Sequence, residues 1–143
     1  MSQFVLEEFL PYQLAILSSR VSDAFSSCYR KKFGISVSEW RVVAHLMQAE
    51  KVSIREIFDR VNMDKSKVSR AAARLERAGY VQKKSCARDR RLIELSLTPK
   101  GRAMAEEIGP MGQEFAADLL KTLPKDARAP FLSALKILLE AYA

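Results

Sequence analysis

Four cations near the middle of the chain, Lys67, Arg70, Arg74 and Arg77, stand three or four residues apart, and at helical pitch that spacing projects them from one side of a helix. Val68, Ala71, Ala72 and Leu75 take the other side, with Ser66 and Ser69 near the first turn. A helix divided in this way packs on one face and offers amines, guanidiniums and hydroxyls on the other. Such groups bind phosphate oxygens, and lysine or arginine also bonds N7 and O6 of guanine in a major groove. A little further on, Arg88-Asp89-Arg90-Arg91 gathers three guanidinium groups around one carboxylate. Inserted arginine suits a narrow minor groove, where negative potential is enhanced. Asp89 lies two residues before Arg91 and can fix that guanidinium through a bidentate pair, which reduces the entropy lost on insertion. Many solvated helices carry a basic stripe, and an exposed ion pair contributes little by itself. The two features weigh most because they are neighbours.

Charge placement points the same way. The formal net charge of the 143 residues is +7; residues 55–102 hold 14 Lys or Arg against 6 Asp or Glu, and the remainder holds 10 against 11. The positive excess therefore sits in one third of the chain, the footprint of a protein that meets a polyanion and releases its counterions. Charge alone does not separate this from a solvated surface. The 48% hydrophobic and 29% charged fractions fit one globular domain. No stretch approaches the roughly 18 consecutive apolar residues of a membrane span. Met1 to Glu8 has two acids and no base, unlike a secretory leader, so a cytoplasmic protein is expected. Cys28 and Cys86 have no CxxC spacing and no nearby histidine, which reads as reduced structural thiols, with neither metal nor disulfide. A Gly-rich phosphate loop, a nucleophile elbow and a metal-ligand cluster are all missing, so neither catalysis nor a cofactor is expected.

The elements that must carry these groups follow from periodicity and capping. Leu10, Leu14, Leu17, Val21, Phe25 and Cys28 recur at three and four, predicting a long helix from about Leu6 to Phe33 that Gly34 ends. Ser36 and Glu39 form a capping box for a second helix with Trp40, Val43, Ala44 and Met47 on one face, ending near Glu50. Ser53 and Glu56 repeat the box for a third helix, Ile54 to Arg60, followed by a tight connection through Val61, Asn62 and Met63. Asp64 is the N-cap of the fourth, Lys65 to Ala78, which Gly79 closes. Ile93 to Leu97 alternates as a strand should and is expected to pair with Val81 to Ser85 across a charged tip, Cys86 to Arg91. Thr98-Pro99 starts a fifth helix carrying Met104, Ile108, Met111, Phe115 and Leu119, kinked at Gly109-Pro110. Phe131, Leu132, Leu135, Leu138, Leu139 and Tyr142 predict a closing helix, with Pro130 obscuring its start.

These residues resemble the MarR family of winged helix-turn-helix transcriptional regulators over nearly the whole chain. The likeness rests on Ser38-Glu39-Trp40-Arg41-Val42-Val43, on Asp64-Lys65-Ser66-Lys67-Val68-Ser69-Arg70 and on Leu75-Glu76-Arg77-Ala78-Gly79-Tyr80-Val81. Its most specific part is Asp89-Arg90-Arg91 with Leu95-Ser96-Leu97-Thr98-Pro99-Lys100-Gly101, which looks like the family's wing-to-helix signature. The resemblance implies a mainly α fold: a winged lobe at 36–100 with a two-stranded β-hairpin wing, and dimerisation helices at 1–35 and 101–143. It implies a homodimeric repressor on a palindromic operator, with half-sites about one turn, roughly 34–36 Å, apart. By position, Ser66, Lys67 and Arg70 would meet base edges and phosphates, Asp89 would be the wing acid and Arg91 the minor-groove arginine. Ser69, Arg74, Arg77, Arg88 and Arg90 complete the DNA-facing set suggested by spacing and charge.

Family members commonly release DNA when a small aromatic or anionic ligand enters a cleft between the dimer helices and the lobe. Tyr12, Trp40, His45 and Phe115 are the residues suited to line it, and each also reads as ordinary packing. Leu10-Pro11-Tyr12 and Leu17-Ser18-Ser19-Arg20-Val21-Ser22 resemble a subgroup linked to aromatic-acid or acyl-coenzyme A catabolism. Two alternatives stay open. One is a redox-responsive regulator working through Cys28 or Cys86, although the reactive cysteine of such relatives lies near the start of the first helix and Cys28 near its end. The other is a winged module that binds only proteins, which would have little need of both a basic stripe and an arginine tip.

Overall fold

Short polar side chains begin the helices of the winged lobe. The computed structural model describes residues 3–49, 52–61, 63–85, 87–89 and 91–143. Ser36 Oγ accepts from the Glu39 amide while the Ser36 amide donates to Glu39 Oε2 at 2.7 Å, a complete capping box for α2, Val37–Gln48. Ser53 Oγ likewise accepts from the Glu56 amide at the start of α3, Ile54–Arg60. The box expected there is incomplete: the Glu56 carboxylate meets the Ser53 hydroxyl and Arg60 instead. Ser53 belongs to a strand, β1, Val52–Ser53, which pairs with a later one. Asp64 Oδ1 accepts from the Lys67 amide at 2.9 Å and starts α4, Lys65–Arg77.

Proline and glycine set the other boundaries. α1 runs Leu10–Phe33 rather than from Leu6, and a separate 3-10 turn covers Leu6–Glu8. Pro11 explains the difference, because its ring opposes the carbonyl four residues back and is tolerated only in a first turn. α2 stops at Gln48 and Ala49 is extended; Glu50, the expected end, and Asn62 in the α3–α4 connection lie outside the described residues. α4 ends in a Schellman motif, the Gly79 amide donating to Glu76 O and the Tyr80 amide to Leu75 O, with Gly79 at φ 83°.

Strands β2, Val81–Ser85, and β3, Ile93–Leu97, pair antiparallel as expected, in the register Val81↔Leu97 to Ser85↔Ile93. The sheet has three strands in the order β1-β3-β2, with Val52 opposite Leu95. A two-residue strand leaves no alternation to read, so the sequence predicts only the hairpin. The core gathers Val42, Val43 and Leu46 of α2, Ile57 of α3, Val68, Ala71, Ala72 and Leu75 of α4, and Val81, Leu95 and Leu97 of the sheet. α5, Pro99–Lys121, adds Met104 and Ile108.

On α1 the packed face differs from the expected stripe. Ser26 and Tyr29 are buried while Cys28 is exposed, as are Leu10, Leu14 and Leu17. The rings of Phe25, Tyr29 and Trp40 explain the rotation, since they pack with centroids 5.3–5.8 Å apart and draw the Tyr29 side toward α2. The chain divides into two compact units, Met1–Ile108 and Gly109–Ala143. The second contains the end of α5 and α6, Lys125–Ala141, with Arg128 Nε donating to Leu123 O in the turn between them. Helical structure continues through both Pro110 and Pro130, and α6 begins ahead of Pro130.

The first turn of α5 clasps the end of α4. The Thr98 amide donates to Tyr80 O at 3.0 Å and Thr98 Oγ1 to Gly79 O at 2.6 Å, while Lys100 Nζ donates to Ala78 O at 2.8 Å. Gly101 completes it: a Cβ there would stand 1.9 Å from Tyr80 O, a backbone atom that cannot step aside. Gly101→Ala should therefore cost about 3 kcal/mol or more of stability, read as a lowered urea midpoint, whereas an alanine tolerated without loss would show the clasp to be slack.

Candidate nucleic-acid interface

α4 presents the division its sequence predicts. Val68, Ala71, Ala72 and Leu75 are fully buried, whereas Ser66, Lys67, Ser69, Arg70, Arg74 and Arg77 are exposed. Asp64 organises the entry to this face, accepting from Ser66 Oγ at 2.8 Å as well as from the Lys67 amide. Those two bonds, the amide first, hold its carboxyl below the ordinary aspartate value. The first turn thus offers a fixed hydroxyl and a lysine at the positive end of a helix, where anions are favoured.

The four cations of the stripe are not equivalent. Arg74 Nε lies 3.6 Å from Glu39 Oε1, and Glu39 is almost wholly buried at the head of α2. One carboxylate therefore caps α2 and ties it to α4. Arg74 bridges the two helices while staying half-exposed, and Lys67, Arg70 and Arg77 appear in no ion pair among the described residues. Spacing cannot make that distinction, because the partner lies 35 positions away in the chain.

At the wing, the Arg91 amide donates to Asp89 Oδ1 at 3.0 Å, Arg91 Nε to the same oxygen at 3.1 Å and Arg91 Nη2 to Oδ2 at 3.3 Å. The expected bidentate pair is present, strengthened by a backbone bond the sequence did not suggest. Arg91 remains 90% exposed, so the guanidinium is oriented and still available. Arg88 is exposed too; Arg90 and Cys86 lie outside the described residues. Arg55 of α3 adds a smaller favourable field at Asp89. It was missed because only the β1–β3 pairing brings the start of α3 toward the wing.

Of the four residues suggested for a ligand cleft, the three in the first unit have separate surroundings. Trp40 belongs to the aromatic cluster with Phe25 and Tyr29. His45 Nδ1 pairs with Arg41 O one turn back on its own helix. Tyr12 lines an open groove of about 310 Å³ with Gln13, Ile16 and Arg20 on α1, and Phe115 is half-buried on α5 in the second unit. A larger groove of about 610 Å³ lies between α1 and α2, where Leu14 and Val37 stand with three serines, Ser18, Ser19 and Ser22, and with Asp23 and Arg41. Sequence reasoning passed over it because Arg41 lies among apolar residues of the second helix, and only the fold sets it beside the serines.

A helix packed on a helix-turn-helix core, cationic outward and adjoining an arginine-tipped hairpin, defines a winged helix-turn-helix DNA-binding protein. The MarR family model matches residues 33–92, the lobe just described. A MarR family transcriptional regulator of Silicibacter pomeroyi superposes with a TM-score of 0.83 at 26% identity over 99% of this chain and 100% of that one. The Bordetella bronchiseptica regulator BpsR, whose DNA binding is regulated by 6-hydroxynicotinic acid, shares the fold with a TM-score of 0.82 at 19% identity, over 96% and 97% of the two chains. YdgJ of Bacillus subtilis, an uncharacterized helix-turn-helix transcriptional regulator, is 26% identical over 87% of this chain and 73% of its own length. The winged lobe thus matches the MarR family of DNA-binding transcriptional regulators over residues 33–92, and the whole chain shares the winged helix-turn-helix fold of that family's solved structures.

Asp89 generates a pH prediction. Its carboxyl is held below the ordinary value of 3.8, chiefly by the Arg91 side chain and then by the Arg91 amide. A folded-state value below the unfolded one means that the clamp is complete above the ordinary value and is lost only as pH falls through the depressed one. The Arg91 amide resonance should therefore hold its position from neutral pH through the ordinary aspartate range and move only below it, and Asp89→Asn should displace it at every pH. Movement near pH 5 in the unaltered protein would contradict the clamp.

Proposed function

We propose that the protein is a homodimeric repressor that binds a palindromic operator and releases it when a small anionic, often aromatic, ligand enters the groove between α1 and α2. The observation that carries the DNA reading is the exposed face of α4, Ser66, Lys67, Ser69, Arg70 and Arg77, beside a wing guanidinium held in place by Asp89. Major-groove contacts from α4 would read bases, and Arg91 with Arg88 and Arg90 would enter the neighbouring minor groove. Arg74 would contribute through its bond to Glu39. The whole chain acts as one MarR-type domain in the cytoplasm, with the lobe at 36–100 and dimer helices at 1–35 and 101–143.

Dimerisation is supported by where apolar surface is left uncovered. Among the described residues the exposed large hydrophobic side chains lie at 4–17 and 119–142, with Ile93 alone between. Monomeric proteins seldom leave contiguous apolar patches larger than a few hundred square ångströms, and a second copy covering both terminal segments satisfies that limit. The ligand reading is supported by Arg41 with Ser18, Ser19 and Ser22 beside Leu14 and Val37, the carboxylate of the lining, Asp23, being paired with Arg30 at 3.6 Å, and by the nicotinic-acid derivative that regulates BpsR. Exposed Cys28 is the observation that keeps a redox-responsive regulator as the second reading.

The test is binding to the DNA upstream of its own gene and to a scrambled duplex, at two salt concentrations, with and without aromatic acids and their coenzyme A thioesters. Tight, salt-sensitive binding to the native fragment alone, reversed by one acid, is the expected result, and Arg41→Gln should lose the reversal while keeping the DNA. Equal weak binding to both duplexes would favour a protein-interaction module, and loss of binding on peroxide treatment the redox reading. Arg70→Ala should cost about 1–3 kcal/mol on the operator and relax specificity, whereas Lys84→Ala should weaken all sequences alike and flatten the salt dependence. Sedimentation of the protein as a monomer on DNA would defeat the dimer.

A further inference from the structure

Lys100 belongs to the cationic third of the chain, yet its ammonium is engaged within the fold. Nζ donates to Ala78 O at 2.8 Å and stands 4.7 Å from the centre of the Tyr80 ring. Ala78 is the C-cap of α4, where carbonyls lack helical partners and the dipole favours a cation. The next two carbonyls, of Gly79 and Tyr80, are taken by Thr98. Lys100 thus completes a run of three satisfied acceptors, and the close approach at Gly101 fixes the backbone from which it reaches.

We propose that Lys100 is a positioning residue for operator recognition, holding the end of α4 against α5 so that Arg70 and its neighbours meet the bases at one fixed pitch, and that it makes no DNA contact of its own. The inference rests on the reading of α4 as the operator-reading helix. Its consequence is distinctive. A lysine bound to phosphate supports binding to any sequence and adds to the salt dependence, whereas a positioning lysine supports only discrimination between sequences.

The experiment compares the full chain with Lys100→Met and Lys100→Arg by fluorescence anisotropy, on the upstream duplex and a scrambled one, over a series of salt concentrations. A thermal melt verifies the fold, and Lys100→Gln, which keeps a donor without the charge, replaces the methionine variant if that one does not fold. Lys100→Met should lose roughly five- to tenfold in affinity for the upstream duplex, bind the scrambled duplex unchanged and keep the parental salt slope. Lys100→Arg should recover most of the loss. Combined with Arg70→Ala, Lys100→Met should cost less than the sum of the two, because a misplaced α4 has less left to lose at Arg70. Equal losses on both duplexes, with a slope smaller by about 0.9, would make Lys100 a phosphate contact and overturn the proposal. No loss on either duplex would overturn it as well. If the unaltered protein binds both duplexes equally, the operator reading fails first and this inference fails with it.

Discussion

Three consecutive carbonyls, those of Ala78, Gly79 and Tyr80, are held by two residues of the next helix, Thr98 and Lys100. The Schellman turn at Gly79 leaves these oxygens without helical partners at the end of α4, and Thr98 and Lys100 supply fixed donors in place of water. Their capture makes one continuous connection. The β2–β3 ladder passes from Val81↔Leu97 directly into the bond from Thr98 to Tyr80, and Thr98 Oγ1 then accepts the Gly101 amide and starts α5. Recognition helix, wing and α5 thereby share one junction. Gly101 is the residue that lets the backbones come close enough for it to form.

A second tie works at the other face of α4. Glu39 is kept ready by its own helix cap, so the oxygen it offers Arg74 is already oriented. Cations of the central third accordingly divide by task. Arg74, Lys83 and Lys100 bind within the fold, Lys83 through Glu76 at 3.8 Å, while Lys67, Arg70, Arg77 and Arg91 keep donors turned outward. The net charge of the segment overstates the charge available to a partner. What it measures correctly is the sign of the field that draws a polyanion toward the lobe.

Much of this was legible because the signals were local. Capping residues three positions from their targets placed α3 and the start of α4 to the residue, and alternation gave β3, with β2 as its expected partner. The Asp89–Arg91 pair could be foreseen since only one residue separates them. What escaped was non-local: β1 has no pattern of its own, the Arg74–Glu39 bond joins two helices, and the α1–α2 groove exists only when both are folded. Nor does α1 alone show which part of its stripe packs on the lobe. Leu10 to Cys28 forms a good stripe by itself, but Trp40 and Tyr29 decide which part of the helix turns inward. For the ligand residues the sequence leaves the choice open, because an aromatic side chain looks alike in sequence whether it lines a cleft or fills a core.

β2 is an outer strand of the sheet, and it carries exposed Lys84 next to half-buried Lys83. An unpaired strand edge is a template for another strand, and lysine on such an edge is a common safeguard against unwanted stacking of chains. The wing is therefore guarded against self-association by charges of the sign that suits DNA. That placement constrains how the protein can evolve: neutralising β2 would uncover a sticky edge, while changes on the exposed side of α4, which belongs to no sheet, carry no such penalty. The exposed side of the helix is free to diverge, and the wing strand is held cationic by the need to stay dispersed.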